Sequence, residues 1–321
     1  MSNGKTILIT GGAGFIGSHI SKKLIDSNYN VIIVDNLNPY YDPGLKDARI
    51  RELLRDYRFK LYRTDICDFK SMRKIFEKNK INIICHEAAQ AGVRYSLENP
   101  FVYEEANLKG TLNLLELAKD FKINGFIFAS SSSVYGANKK IPFSEDDVTD
   151  FPVSLYGATK KATELLVYGY HHIYGINATG LRYFTVYGPW GRPDMALFKF
   201  TKNILEGRPI EVYGHGRMER DFTYISDIVD GTIKAIEKNY HWEIFNLGYG
   251  KPQKLTHFIE IIEDYLGKNA ERKYLPMQLG DVRRTYADIS KARKLLKWKP
   301  KVPIEDGIRN FIDWYGGYYG I

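Results

Sequence analysis

Cysteine is nearly absent: Cys67 and Cys85 are the only two in a chain of 321 residues. Two thiols at that spacing make neither a disulfide framework nor a zinc motif. They fit a reducing compartment. No apolar run approaches the roughly 20 residues needed to span a bilayer; runs such as Val31–Val34 and Phe126–Ala129 are strand-sized. The N-terminus lacks a basic region followed by a long apolar segment and a small-residue cleavage site, so a cytoplasmic location and no membrane association are expected. Internal repeats, low-complexity tracts and obvious linkers are missing. Five of the seven histidines are scattered, and the adjacent His171 and His172 would point in different directions on a helix. No metal site is expected. The formal net charge is +8, but lysine and arginine are spread along the chain, with only short clusters such as Lys291–Lys301. No basic-aromatic recognition motif accompanies the charge, so nucleic acid is not expected as a partner. An anionic small substrate and a solvated basic surface both remain open.

What is present is ordinary for a globular enzyme-sized protein: 44% hydrophobic and 26% charged residues. The length allows one large domain or two interlocked ones. Short apolar runs alternate with amphipathic stretches. Strands are predicted at Thr6–Thr10, Val31–Asp35, Phe59–Thr64, Ile81–His86, Gly125–Ser130 and Gly180–Val186. Helices are predicted at Ile16–Ser27, Lys70–Lys78, Phe101–Phe121 and Tyr156–Tyr174. This βαβ alternation implies a parallel sheet with helices on both faces. After Gly188 the texture loosens, with short strands at Ile210–Tyr213 and Glu243–Asn246 and a helix at Asp227–Lys238 that returns to the sheet. The expected fold is α/β: a Rossmann-type doubly wound parallel sheet over residues 1–180, with a return segment 227–246. Residues 181–226 and 247–321 form the expected smaller α/β substrate-binding domain.

Thr6–Thr10 runs into Gly11-Gly12-Ala13-Gly14-Phe15-Ile16-Gly17 and then a helical pattern. Glycines 11, 14 and 17 form G-x-x-G-x-x-G at a strand-to-helix turn. They permit a tight turn and close approach of backbone to a pyrophosphate, which then meets the free N–H groups of the helix N-terminus. Asp35 ends the second strand, beside Asn36. A carboxylate there bonds both adenosine ribose hydroxyls and repels a 2′-phosphate, which favours NAD over NADP. Asp65-Ile66 could meet the adenine edge, and the small Ala88-Ala89 before Gln90 would let a dinucleotide pass closely.

Tyr156 and Lys160 form Y-x-x-x-K, which puts both side chains on one helix face. A free phenol has a pKa of about 10. A neighbouring ammonium and a positive nicotinamide ring favour the phenolate, so Tyr156 becomes a candidate base and Lys160 its helper. The strand Phe126–Ala129 runs into Ser130-Ser131-Ser132-Ser133-Val134-Tyr135-Gly136. Hydroxyls at a strand's carboxyl end can hold a sugar oxygen and relay its proton to Tyr156.

Together, Thr10–Gly17, Asp35, the serine run, Val134-Tyr135-Gly136 and Tyr156/Lys160 resemble the extended short-chain dehydrogenase/reductase superfamily, in its NAD-dependent epimerase/dehydratase branch. The resemblance covers essentially the whole chain, including Arg182–Pro189, Arg220–Asp227 and Gly280–Asp288. It implies an NAD enzyme acting on a nucleotide-diphospho-sugar, with Ser131 and Ser133 at the sugar hydroxyl. It also implies Arg220 and Arg283 at the diphosphate, Asn107 and Tyr183 at the cofactor, and Arg94, Ser132 and Asp281 at the substrate. By the same resemblance, the helices Phe101–Phe121 and Tyr156–Tyr174 pair across a two-fold axis in a homodimer. Leu112, Leu115, Leu165 and Leu166 could serve that contact or the chain's own core.

Several family reactions begin by oxidising C4 of the sugar. Family dehydratases carry an Asp-Glu pair just before Val-Tyr-Gly, and decarboxylases of UDP-glucuronate carry a Glu immediately before it. This chain has Ser132-Ser133 there. A 4-epimerase needs no further acid–base group. The segment Tyr187–Ala196 and Ala88–Ser96 resemble UDP-glucuronate 4-epimerases, and by that resemblance Arg192 faces the sugar. A guanidinium takes a carboxylate through two parallel hydrogen bonds, which a neutral CH2OH cannot match. Thr185 stands on the same segment. The oxidised uronate is a β-keto acid, so Arg192 and Thr185 are expected to hold its carboxylate against loss of CO2. The alternatives are a UDP-glucose/UDP-galactose 4-epimerase, a UDP-glucuronate decarboxylase, and an inactive NAD-sensing regulator on the same fold.

Overall fold

The computed structural model describes residues 4–321. Seven strands form one all-parallel sheet: β1 (Thr6–Thr10), β2 (Asn30–Asp35), β3 (Lys60–Arg63), β4 (Ile83–His86), β5 (Gly125–Ser131), β6 (Ala178–Tyr183) and β7 (Trp242–Leu247). Their spatial order is β7-β6-β5-β4-β1-β2-β3. The chain winds outward in one direction through β1, β2 and β3, then returns and winds the other way from β4. The strand order therefore reverses between β1 and β4, and a crevice opens there at the carboxyl ends.

The continuous apolar runs follow from burial on both faces. Along β1, Ile7 and Ile9 join one core and Leu8 the other; Ile127 and Phe128 divide the same way along β5. The first core is completed by α1 (Phe15–Asp26) and, late in the chain, by a returning helix, Ile225–Lys238. The second is closed by α2 (Phe69–Lys78), α3 (Gly110–Asp120) and α4 (Leu155–Tyr174). Ser154 caps α4 by accepting the Gly157 N–H at 3.0 Å, and Gly175 ends it at φ 69°.

Two expectations need correction. Gly180–Val186 is not one strand. β6 leaves the main sheet after Tyr183, and Thr185–Tyr187 pairs in parallel with Phe222–Tyr224 instead. The backbone changes partner: Phe184 N–H donates to Leu247 O at 3.1 Å, while Thr185 N–H donates to Asp221 O at 3.0 Å. An apolar run carries no record of that switch. The helix expected over 101–121 is also interrupted, by a widened π-type turn at Glu104–Lys109 before α3. Such turns re-aim side chains, and this one carries Asn107.

The remainder of the chain packs against the first core and over the crevice. Asp221, fully buried, ties its loops together by accepting N–H groups of Tyr249, Gly250 and Ala287 at 2.6, 3.0 and 3.0 Å. The aromatic C-terminal helix Ile304–Tyr319 packs Trp314 and Tyr318 on Trp190, each with ring centroids 5.1 Å away. No helix among the described residues is long and apolar enough to cross a membrane.

Candidate active site

A cleft of about 720 Å³ lies along the carboxyl ends of the strands. At one end is the glycine loop. Gly11 takes φ 69°, and a Cβ on it would sit 2.7 Å from Ala88 N. A Cβ on Gly17 would lie 2.2 Å from Gly11 O. Bare backbone at these positions lets α1 start hard against β1 and β4. Phe15, Ile16 and Gly17 then form a first turn whose N–H groups lack helical partners, and no side chain caps them. A Cβ on Gly14, at the N-cap, would lie 2.9 Å from Gly11 O.

Asp35 is buried at the end of β2. Its two oxygens accept the Ala13 and Leu37 N–H groups at 3.0 and 2.8 Å, which leaves a lone pair on each for a ligand. Asn36 donates to Asp65 at 2.7 Å, and Ile66 follows along the same wall. Ala88, Ala89 and Gln90 line the middle of the cleft. Asn107 does not line it. It stands behind, accepting Gln90 N–H at 2.8 Å and donating to Gln90 O at 3.1 Å and Thr159 Oγ1 at 3.0 Å. It shapes the wall that the cleft presents.

In the centre, Tyr156 and Lys160 face the serine turn from α4. Ser131 Oγ donates to Ser133 Oγ and accepts Ser133 N–H, both at 3.1 Å. The contact is close because residue 157 is glycine; a Cβ there would lie 2.7 Å from Ser133 O. Ser132 also lines the cleft. The Ser130 hydroxyl is taken up elsewhere, donating to Glu164 at 2.6 Å beside the buried Glu164–Arg182 ion pair.

These residues match the model of the "NAD dependent epimerase/dehydratase family" over residues 7–248. The chain belongs to that family. Among its relatives is a "UDP-glucuronate 4-epimerase" of Thermodesulfobacterium geofontis, 50% identical over 96% of this chain and 95% of that protein. A crystal structure of UDP-glucuronic acid 4-epimerase from Bacillus cereus, in complex with UDP-glucuronic acid and NAD, is 39% identical with a TM-score of 0.92, covering 98% of this chain and 100% of that one. A UDP-glucose 4-epimerase of Thermotoga maritima, solved with UDP-glucose, is 34% identical with a TM-score of 0.89, over 98% and 99% of the two chains.

The cleft of this family member fits NAD by its own geometry. The glycine cradle would be filled by any Cβ, the first-turn amides are free, and Asp35 retains acceptor capacity where an adenosine ribose must lie.

The electrostatics differ from the sequence expectation in one respect. Burial pushes the Tyr156 phenol up from its ordinary value; the Ser131 hydroxyl and the Arg192 charge only partly oppose this. Lys160 Nζ donates to Ala129 O at 2.8 Å, and burial lowers its pKa to about 8. Desolvation thus outweighs charge in the protein alone, and Tyr156 is a neutral phenol at pH 7.

At the far end stand the arginines. Arg192 donates through Nε and Nη2 to the two oxygens of Asp194, at 3.0 and 2.5 Å. Tyr40 donates to the same carboxylate at 3.1 Å and lies under the guanidinium, 5.9 Å from its ring centroid. Three of the five guanidinium N–H groups remain for a ligand. Thr185, Arg220, Asp281 and Tyr183 also line the cleft. Arg94 and Arg283 do not. Arg94 is exposed, stacked 4.3 Å from the Tyr213 ring and 3.5 Å from Asp281. The Arg283 side chain is exposed at the rim, while its carbonyl accepts from Arg220 at 3.3 Å.

Sequence reasoning missed Tyr40, Arg49 and Glu87. Arg49 is fully buried and joins the two ends of the cleft, donating to Ala13 O at 3.1 Å and to Trp190 O at 2.7 Å. Nothing in its amphipathic surroundings distinguishes it from a surface arginine. Tyr40 carried a weak signal, since Asn38-Pro39-Tyr40-Tyr41-Asp42-Pro43 is unusually aromatic for a turn.

Proposed function

We propose that this chain is a UDP-glucuronate 4-epimerase, interconverting UDP-glucuronate and UDP-galacturonate. The observation that carries the reading is Arg192. It is braced on one edge by Asp194 and Tyr40 and open on the other, in a cleft whose serine turn carries no carboxylate. A uronate carboxylate completes that open edge. A neutral CH2OH, as in UDP-glucose, would leave a poorly solvated cation underused.

Gly11, Gly14, Gly17 and Asp35 would hold NAD, which would supply the hydride acceptor and donor for C4. The remaining work belongs to the chain. Ser131 and Ser133 hold the C4 oxygen. Tyr156 takes its proton and later gives it back to the same C4 oxygen, after the ring has presented its opposite face. Lys160, as an ammonium, favours the phenolate form of Tyr156. Between the two transfers the keto sugar turns over while Arg192 and Thr185 keep the carboxylate bond away from the perpendicular to the ketone plane. That orientation denies the departing electrons overlap with the carbonyl π-system, so CO2 is retained. Arg220 holds the nucleotide diphosphate with Arg283 from the rim, and Asp281 and Arg94 serve the same substrate end. Residues 1–180 and 227–246 serve NAD; 181–226 and 247–321 serve the nucleotide-sugar.

The test is to incubate the purified protein with UDP-glucuronate, without added reductant, and identify the sugar by NMR. UDP-galacturonate is the expected product. A UDP-pentose as main product would make the chain a decarboxylase, and turnover of UDP-glucose alone would make it a neutral-sugar epimerase.

The proposal extends to a cytoplasmic homodimer. The four leucines separate in the structure: Leu115 is in the core and Leu166 packs against it, whereas Leu112 and Leu165 are 41% and 60% exposed. Phe101, at the start of the same helical region, is 80% exposed. Exposed apolar side chains on two packed helices suit a two-fold helical contact. Sedimentation should show a dimer for the parent and a monomer for Leu165→Glu; a monomeric parent would sink the idea.

A further inference from the structure

Trp190 holds a backbone conformation that its own side chain opposes. It takes φ 63°, in the left-handed region that bulky residues avoid. The turn Gly188-Pro189-Trp190-Gly191 is closed by the Gly191 N–H, which donates to Gly188 O at 3.1 Å. Proline at the second position and positive φ at the third are the pattern of a type II turn, whose third position favours glycine. Here that position is tryptophan, two residues before Arg192. Strain of this kind persists only where the surroundings over-determine it, and it gathers at functional sites.

Two elements hold the turn. Trp314 and Tyr318 of the C-terminal helix pack on the ring. Arg49 holds the backbone. It opens a widened π-type turn, Arg49–Leu53, after the short helix Pro43–Ala48, and it is completely buried. Its Nε and Nη2 donate to Trp190 O at 3.1 and 2.7 Å, and Nη2 also reaches Gly191 O at 3.4 Å. Nη1 donates to Ala13 O at 3.1 Å and to the Tyr41 hydroxyl at 2.6 Å. These contacts occupy the whole donor fork of a guanidinium. None of the acceptors is a carboxylate, so the fork joins loops rather than pairing an acid.

We propose that Arg49 is a positioning residue: it clamps the Trp190 turn to the glycine loop and thereby sets Arg192 in the cleft.

One edge of the fork grips Ala13, inside the glycine loop, and the other grips the backbone that leads into Arg192. The same stretch of chain makes a second hold on the arginine loop, since Tyr40 donates to Asp194 at 3.1 Å. Arg192 is thus fixed through its backbone by Arg49 and through its side chain by Asp194 and Tyr40. A shift of the turn moves the guanidinium, because only Gly191 separates it from Trp190. Lysine keeps the charge of Arg49 but is a single point of donation and cannot span both edges.

The inference rests on the proposed epimerase reading, and two measurements on the NAD-saturated protein separate the fate of the two. The first uses the reaction. Arg49→Lys should lower kcat/KM for UDP-glucuronate about ten- to hundredfold, the usual cost of a small misplacement, and raise the share of UDP-pentose. Affinity for UDP, which lacks the sugar, should stay within about twofold. In an Arg192→Ala background Arg49→Lys should change kcat/KM less than about twofold, because the residue it positions is gone. An equal loss in both backgrounds means that Arg49 supports the fold at large, and overturns the proposal.

The second is hydrogen exchange over residues 188–195 with no sugar present. The Gly191 and Met195 amides, bonded to Gly188 O and Arg192 O, should exchange about tenfold faster in Arg49→Lys, while those of β1 are unchanged. Exchange equal to the parent overturns the proposal, whatever the protein turns over. A parent that makes no UDP-galacturonate removes the epimerase reading and leaves this second result to decide the clamp. Should Arg49→Lys not fold, Tyr41→Phe replaces it. That variant removes one acceptor of the fork and keeps the ring, 5.4 Å from the guanidinium. Its exchange should quicken about threefold, and an unchanged rate there overturns the proposal equally.

Discussion

Tyr156→Phe is expected to lower turnover of UDP-glucuronate by about a hundred- to ten-thousandfold, the usual worth of a positioned acid–base group. The substitution removes one oxygen and leaves the ring, which contacts Tyr103 edge-on at 6.2 Å. The fold and the affinity for the sugar should survive, so the loss should appear in kcat and not in KM. Because burial keeps the phenol protonated in the protein alone, activity should rise with pH through an ionisation that requires bound cofactor. Lys160→Met should lower turnover and move that rise to higher pH. Turnover within threefold of the parent in Tyr156→Phe, measured by product formation, would remove the base from the scheme.

The second large effect is at Arg192. Arg192→Ala deletes the partner of a substrate carboxylate in a desolvated cleft, a loss of about 2–4 kcal/mol. That corresponds to roughly 30- to 1000-fold in kcat/KM for UDP-glucuronate. Product identity should change as well. With its carboxylate no longer held, the keto sugar can present the C5–carboxylate bond perpendicular to the ketone, and the share of UDP-pentose should rise. Asp194→Asn should give a milder version, since Arg192 keeps its charge but loses the anion that fixes one of its edges. Unchanged epimerisation by Arg192→Ala, with no CO2 released, would show that the guanidinium does not touch the sugar. Simultaneous measurement of CO2 and of both nucleotide-sugars separates these outcomes.

Much of the site was legible because its motifs are local. Gly11, Gly14 and Gly17 act on one another across a few positions, and each meets backbone where a Cβ would not fit. Tyr156 and Lys160 share a face because a helix repeats every 3.6 residues. Other motif residues turned out to build the scaffold. Tyr135 donates to Asn246 at 2.6 Å and accepts from Arg182 at 3.0 Å, in a buried network that braces β5 against β6 and β7. A pattern read along the chain does not separate such braces from residues that touch ligand, because both are held in place by the same turns.

The linear order of residues was enough for the parallel sheet, its glycine loop, the placing of Asp35 at the end of β2 and the tyrosine–lysine pair. Each depends on spacing within one strand, turn or helix. Tertiary structure alone decided that the chain leaves the sheet at Phe184, that Asn107 stands behind the cleft, and that Arg192 is braced. The contacts responsible join residues far apart in the chain: Tyr40 to Asp194 across 154 positions, Arg49 to Trp190 across 141 and Glu87 to Tyr183 across 96. Those meetings are set by which strands lie side by side, and short-range periodicity contains no information about that order.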